Sequence, residues 1–171
     1  MVFFKKVGIL LNSLLYEFVL HLPQEFSKFR VGILRRNGAI IDSNVSISPN
    51  VRITGKFEIK KGSSIAQNCT ISGEKVGVFI GENVMIAPNV VIVAFNHIIS
   101  NVDIPMNKQG NDEDAVIIED DVWIASNCTI SKGVIIGKGA VIASNTFVNK
   151  NIDPYTVVGG VPAKILKKRI H

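Results

Sequence analysis

From residue 41 onward isoleucine returns every six residues. Ile41, Ile47, Ile53, Ile59, Ile65 and Ile71 keep a strict step. Ile80, Ile86 and Ile92 resume it after a three-residue slip at Gly77 to Phe79, and Ile118, Ile124, Ile130, Ile136, Ile142 and Val148 complete it after a longer interruption. A period of six suits neither an amphipathic helix nor a hairpin meander, but it suits a prism whose every face is one hexad wide, with the isoleucine pointing inward. Three faces make a coil of 18 residues, so these hexads predict about five coils, stacked roughly 4.8 Å apart with parallel strand pairing between them. Many fifth positions are also apolar or small (Val45, Val51, Cys69, Val84, Val90, Val122, Cys128, Val134, Ala140), while third and fourth positions carry turn formers such as Pro49-Asn50 and Lys138-Gly139.

Composition agrees with this reading. Hydrophobic residues make up 47% of the 171, charged residues 19% and aromatics only 7%, so the apolar content is aliphatic and strand-forming, and a disordered or fibrous chain is excluded. The length fits one domain. Within it the segments are residues 1–38, a helical cap; 39–155, the repeats, with an inserted loop at 93–117; and 156–171, a basic tail. The two cysteines, Cys69 and Cys128, are too few for a disulfide framework or a four-thiolate zinc site; both fall at inward fifth positions, and a reducing compartment is expected.

Charge is uneven. Residues 1–38 carry six Lys/Arg against two Glu, and residues 164–171 add four more cations, whereas the middle carries nine basic and twelve acidic residues. No basic stripe interleaved with aromatics runs through the body, which argues against nucleic acid and favours anionic ligands or a membrane surface as partners. The apolar run Val7–Leu22 is too short and too interrupted for a spanning helix or a signal peptide. Its Val7, Leu10, Leu11, Leu14, Leu15, Phe18 and Leu22 form the stripe of an amphipathic helix ended by Pro23, and a second helix is predicted from about Gln24 to Arg36. Both are expected to cap the first coil, with peripheral membrane contact as the other role.

The stretch IEDDVWIASNCTISKGVIIGKGAVIASNTFV and the tail VVGGVPAKILKKR, together with the hexads, resemble the hexapeptide-repeat acyltransferases, and their sugar O-acetyltransferase branch in particular. The resemblance spans residues 41–168. It implies an all-β chain folded as a left-handed parallel β-helix, with acetyl-CoA as acyl donor, no metal, a carbohydrate acceptor, and a homotrimer whose sites lie between subunits. Left-handedness comes from the resemblance alone, since the general rule for parallel crossovers gives the opposite hand.

The interruption holds AFNHIISNVDIPMNKQGNDEDAV. Of the three histidines, His21 falls in the helical cap and His171 ends the chain, so His97 is the candidate for proton transfer at neutral pH. By the resemblance His97 is the general base. It takes the proton of a sugar hydroxyl and returns it to the leaving thiolate, with oxyanion donors near Ala125-Ser126. The resemblance also assigns CoA contacts to Ser126, Ser144, Asn149, Lys150, Lys164 and Lys167, and acceptor contacts to Asn68 and Asn96. Ala66 stands where some sugar acetyltransferases carry a substrate-binding Asn. Trp123 reads either as a wall of the site or as packing.

The function expected is O-acetylation of a sugar in surface polysaccharide biosynthesis (exopolysaccharide, capsule or O-antigen), in the cytoplasm at the inner face of the membrane. N-acetylation of a nucleotide-linked amino sugar is the alternative, and a non-catalytic binding β-helix is the alternative of another class. A zinc carbonic anhydrase needs three histidine ligands, and His21 and His171 lie outside the repeats.

Overall fold

The computed structural model describes residues 2–169, and within them the six-residue step becomes a left-handed parallel β-helix closed at one end by helices. Helix α1 spans Val2–His21, and a 3-10 turn at Gln24–Phe26 leads into α2, Ser27–Arg36. The first coil is β1 (Ile40–Ile41), β2 (Ser46–Ile47) and β3 (Arg52–Thr54); the second is β4 (Phe57–Ile59), β5 (Ser64–Ile65) and β6 (Thr70–Ser72); the third is β7 (Val78–Ile80), β8 (Met85–Ile86) and β9 (Val91–Val93). After a hairpin of β10 (Phe95–His97) and β11 (Asn111–Glu113), the fourth coil is β12 (Val116–Ile118), β13 (Trp123–Ile124) and β14 (Thr129–Ile130). The fifth is β15 (Ile135–Ile136), β16 (Val141–Ile142) and β17 (Phe147–Val148), followed by β18 (Thr156–Gly159) and β19 (Lys164–Lys168).

The strands stack into three faces. Face I runs β1-β4-β7-β12-β15, face II runs β2-β5-β8-β13-β16-β18-β19, and face III runs β3-β6-β9-β14-β17. All fifteen repeat positions, Ile41 through Val148, are buried and share one core with the fifth-position residues Val51, Cys69, Val84, Val90, Val122, Cys128, Val134 and Ala140; Val45, in the first coil, is only partly buried. Backbone hydrogen bonds climb each edge; after face II the series is Ser48 N to Ile65 O, Ala66 N to Ile86 O, Ala87 N to Ile124 O and Ala125 N to Ile142 O, at 2.8–2.9 Å.

The corners explain the turn residues. At the fourth position of most hexads the backbone takes a positive φ, filled by Asn44, Asn50, Asn68, Asn83, Asn89, Asp121, Asn127, Asn145, Gly62, Gly133 and Gly139, with Glu74 as the exception to that choice of residue. Other side chains pay about 1–2 kcal/mol to enter that region, and Asn, Asp and Gly tolerate it.

Two readings of the chain ends change. The regular stripe of α1 does not make the cap: Leu10, Leu11, Leu14, Leu15 and Phe18 are exposed, and Val19 and Leu20 are the buried residues, with Tyr16 and Leu22 partly buried. The helix is apolar around more than half its circumference, and the arc with the cleaner three-and-four spacing is the outward one. The cap is completed by Val31, Ile33 and Leu34 of α2 and by Arg30, fully buried, whose guanidinium donates to Ile47 O at 2.8 Å, Leu22 O at 2.6 Å and Pro23 O at 3.1 Å. At the other end β18, inside the segment expected to be a tail, pairs in parallel with β16 and adds a partial sixth coil, to which Ile152 contributes a bridge with Ile136.

Candidate active site

The interruption of the repeats leaves the corner between faces III and I as a braced hairpin. Strands β10 and β11 pair antiparallel, with Phe95 opposite Glu113, Asn96 opposite Asp112 and His97 opposite Asn111. Three ties hold it. Asp112 forms an ion pair of 2.8 Å with Lys132 of the next coil; Glu113 accepts from Lys75 N at 3.2 Å; and Gln109 closes the tip by donating to Asn101 O and Ile104 O, both at 2.7 Å, while accepting from Asn101 N. The His97 ring stands edge-on to Phe95 at 5.9 Å.

His97 is exposed and lines an open groove of about 810 Å³ together with Asn96, Ile99, Met106, Asn107 and Asp112. A solvent-reachable imidazole on a fixed strand, beside a carboxylate and two amides, can accept a proton from a hydroxyl in the groove. Ile99, Met106, Asn107 and Asp112 were not anticipated; the loop's length marked it as a functional excursion, and the antiparallel pairing that brings Asp112 back beside Asn96 is visible only in the fold.

The remaining expected residues fall on three other parts of the prism. Asn149 and Lys150 are exposed at the same corner as His97, two coils on. Ser126 and Ser144 lie at the corner between faces II and III, where Asn145 N donates to Ser126 O at 3.0 Å. Trp123, 46% exposed, stands on the outer side of face II between Met85 and Val141. One chain therefore presents two sets, one on the His97 corner and one on face II with its far edge.

Asn68 stands apart from the groove. It belongs to a ladder up the second corner, in which Asn50 Nδ2 donates to Asn68 Oδ1 at 3.1 Å, Asn68 Nδ2 to Asn89 Oδ1 at 3.3 Å and Asn89 Nδ2 to Asn127 Oδ1 at 3.0 Å. Ala125 N–H, expected near the oxyanion, is spent on Ile142 O. Cys69 and Cys128 are fully buried, donate to Ala87 O and Ala143 O, and burial pushes both thiols up from their ordinary pKa. Neither reaches the groove.

The cations of β19, with Arg169 just after it, divide cleanly. Lys168 approaches Asp153 at 3.6 Å and donates to Thr156, and Arg169 holds Asp121 at 3.2 Å and Gly139 O at 2.7 Å. Lys164 and Lys167 are exposed and make no ion pair among the described residues. No group of three or more His, Cys, Asp or Glu among the described residues is placed to hold a metal ion; His171 lies outside them.

Residues 115–150 match the bacterial transferase hexapeptide family, described as six repeats. Galactoside O-acetyltransferase of Escherichia coli K12 is 30% identical over 159 residues, covering 92% of this chain and 76% of that protein. The chain belongs to the hexapeptide-repeat acetyltransferases. A crystal structure from the same family, a Vibrio cholerae hexapeptide-repeat acetyltransferase complexed with acetyl coenzyme A, superposes with a TM-score of 0.81 at 26% identity, covering 94% of this chain and 86% of that one. A candidate lipopolysaccharide-biosynthesis O-acetyl transferase of Escherichia coli K12 is 39% identical over 101 residues, 55% of this chain and 52% of that protein. As a member of this family the chain is an acyltransferase built on stacked hexads.

Proposed function

We propose that the chain transfers an acetyl group from acetyl-CoA to a sugar hydroxyl, with His97 as general base, as a step in the making of a surface polysaccharide. The observation that carries this reading is the exposed His97 on a braced strand, beside Asn96 and Asp112 in an open groove. The family relatives named for galactoside and lipopolysaccharide O-acetyl transfer support a carbohydrate acceptor.

Acetyl-CoA supplies a thioester, an acyl group already activated for attack. A ring nitrogen of His97 takes the hydroxyl proton as the acceptor oxygen bonds to the thioester carbonyl carbon, and the imidazolium gives that proton to the departing sulfur. Atoms balance without an acyl-enzyme, in keeping with two cysteines sealed in the core. Asn96 is assigned to the acceptor. Lys164 and Lys167, cations without an ionic partner among the described residues, suit the phosphates of CoA, with Ser126, Ser144, Asn149 and Lys150 along its path. A site that uses both the His97 corner and face II of one prism calls for neighbouring subunits, and we assign a homotrimer. The proposed place of action is the cytoplasm, at the inner face of the membrane.

The test is transfer from acetyl-labelled CoA to a panel of oligosaccharides, lipid-linked glycans and nucleotide-linked sugars, followed by mild alkali. Base-labile label on a glycan is the expected result, since esters cleave there and amides survive. Alkali-stable label on an amino sugar would make the chain an N-acetyltransferase. Absence of both transfer and calorimetric acetyl-CoA binding would leave a non-catalytic β-helix.

A further inference from the structure

Helix α1 carries two apolar arcs with different fates. At 100° per residue, Val19, Tyr16 and Leu20 face the first coil, while Leu10, Leu14, Phe18, Leu11 and Leu15 share a separate arc of about 140° that is bare, with Phe18 at 65% exposure. Phe29 of α2, also 65% exposed, and Phe26, whose ring lies 5.7 Å from it, extend the bare surface past the helix. Between the helices Leu15, Val19, Phe29 and Ile33 line a shallow apolar groove of about 430 Å³, rimmed by Lys28 and Arg36. Those two cations make no ion pair among the described residues, and Glu17, the acidic residue of α1, is already paired with Arg52 at 3.1 Å.

We infer that this face docks on an anionic lipid surface. An apolar, aromatic-bearing helix face bordered by cations is the composition of a helix that lies in the interfacial plane of a bilayer. No helix among the described residues is long and apolar enough to cross one, so the face rests on the surface. Charge also selects lipid over a second copy of this chain. Two such faces brought together would set Lys28 and Arg36 against their own kind, whereas anionic headgroups neutralise both.

The placement matters for the reaction. Helix α1 packs beside β3, where Tyr16 donates to Ile53 O, and the His97 hairpin leaves the same face two coils on, after β9. Two coil spacings are about 10 Å. Docked by α1, the chain would carry its groove close above the headgroups, within reach of a glycan still attached to a lipid; this last step rests on the function proposed above.

The experiment is co-sedimentation of the full chain with phosphatidylcholine vesicles containing about one third phosphatidylglycerol, and with neutral vesicles, at low and high salt. The double variant Leu14→Ser/Phe18→Ser and the charge variant Lys28→Glu/Arg36→Glu are run beside it, with sedimentation velocity and acetyl transfer to a soluble acceptor measured on each. Expected are binding of wild type to anionic vesicles that salt weakens, a loss of roughly tenfold or more in either variant, and unchanged mass and soluble-acceptor turnover. Wild type that ignores anionic vesicles at low salt, variants that bind as wild type, or a Leu14→Ser/Phe18→Ser chain that dissociates into smaller species would overturn the docking; the last outcome would make the face a contact between copies. Vesicle binding by a chain that transfers no acetyl group would refute the proposed function and leave the docking standing.

Discussion

Asp112 and Lys132 lie 2.8 Å apart and tie the second strand of the His97 hairpin to the fourth coil, with the lysine side chain largely shielded from water. The groove is thus held by a pair that belongs half to the excursion and half to the rigid stack. Lys132→Ala should leave the fold intact, because the substitution touches no core position, yet lower turnover by roughly tenfold to 10²-fold through misplacement of His97. Lys132→Arg should restore most of it. Circular dichroism and steady-state rates on the three proteins check this, and an Ala variant as fast as wild type would release the hairpin from the mechanism.

The division of the C-terminal cations predicts a division of effects. Lys164→Ala with Lys167→Ala should weaken CoA more than dephospho-CoA, with a difference that shrinks as salt rises, and should leave the melting temperature nearly unchanged. Arg169→Ala, which frees Asp121 and Gly139 O, should do the reverse. Calorimetry with the two ligands decides it; equal losses for both would mean that Lys164 and Lys167 do not read phosphate.

For Asn68 the ladder and the positive φ predict a structural role. Asn68→Ala should destabilise by about 1–2 kcal/mol for the backbone conformation alone, and Asn68→Gly should recover that part while still lacking the two ladder bonds. Turnover per folded molecule should hold in both. A selective rise in acceptor KM would instead return Asn68 to the substrate site.

The buried cysteines predict an alkaline weakness. In the unfolded chain a thiol ionises near about 8.5, and in the native chain burial keeps Cys69 and Cys128 protonated above that. The unfolded state therefore loses protons first, and the stability these groups permit is full below about pH 8.5 and declines as pH rises past it. Cys69→Val/Cys128→Val, which installs the residue found at the same position as Val51, Val84 and Val90, should cost under about 1.5 kcal/mol at neutral pH. Its melting temperature should fall less than that of wild type between neutral and alkaline buffer; parallel declines would contradict the assignment.

The coil stack was legible because a single geometric demand repeats. Each hexad needs one inward aliphatic and one residue that tolerates a left-handed turn, and Ile with Asn or Gly answers at nearly every step. The partial sixth coil was not, because from Val148 to Ile152 the spacing shortens before Val158 restores the step. The hairpin strands were hidden for a different reason: Phe95–His97 and Asn111–Glu113 are short, polar and exposed, so no alternation marks them, and their pairing depends on ties to Lys75 and Lys132 that are distant in sequence. His97 was singled out as a candidate by elimination among three histidines and given the role of base by the resemblance, while Asp112 and Met106, which line its groove, needed the fold.

His97→Ala carries the central claim. With acetyl-CoA and the acceptor that wild type uses, the variant should transfer acetyl roughly 10² to 10⁴ times more slowly, the contribution of a positioned general base, while its circular dichroism and its CoA affinity stay those of wild type, since His97 is exposed and its ring meets Phe95 edge-on outside the core. A variant that folds, binds CoA and turns over at close to the wild-type rate would contradict the account.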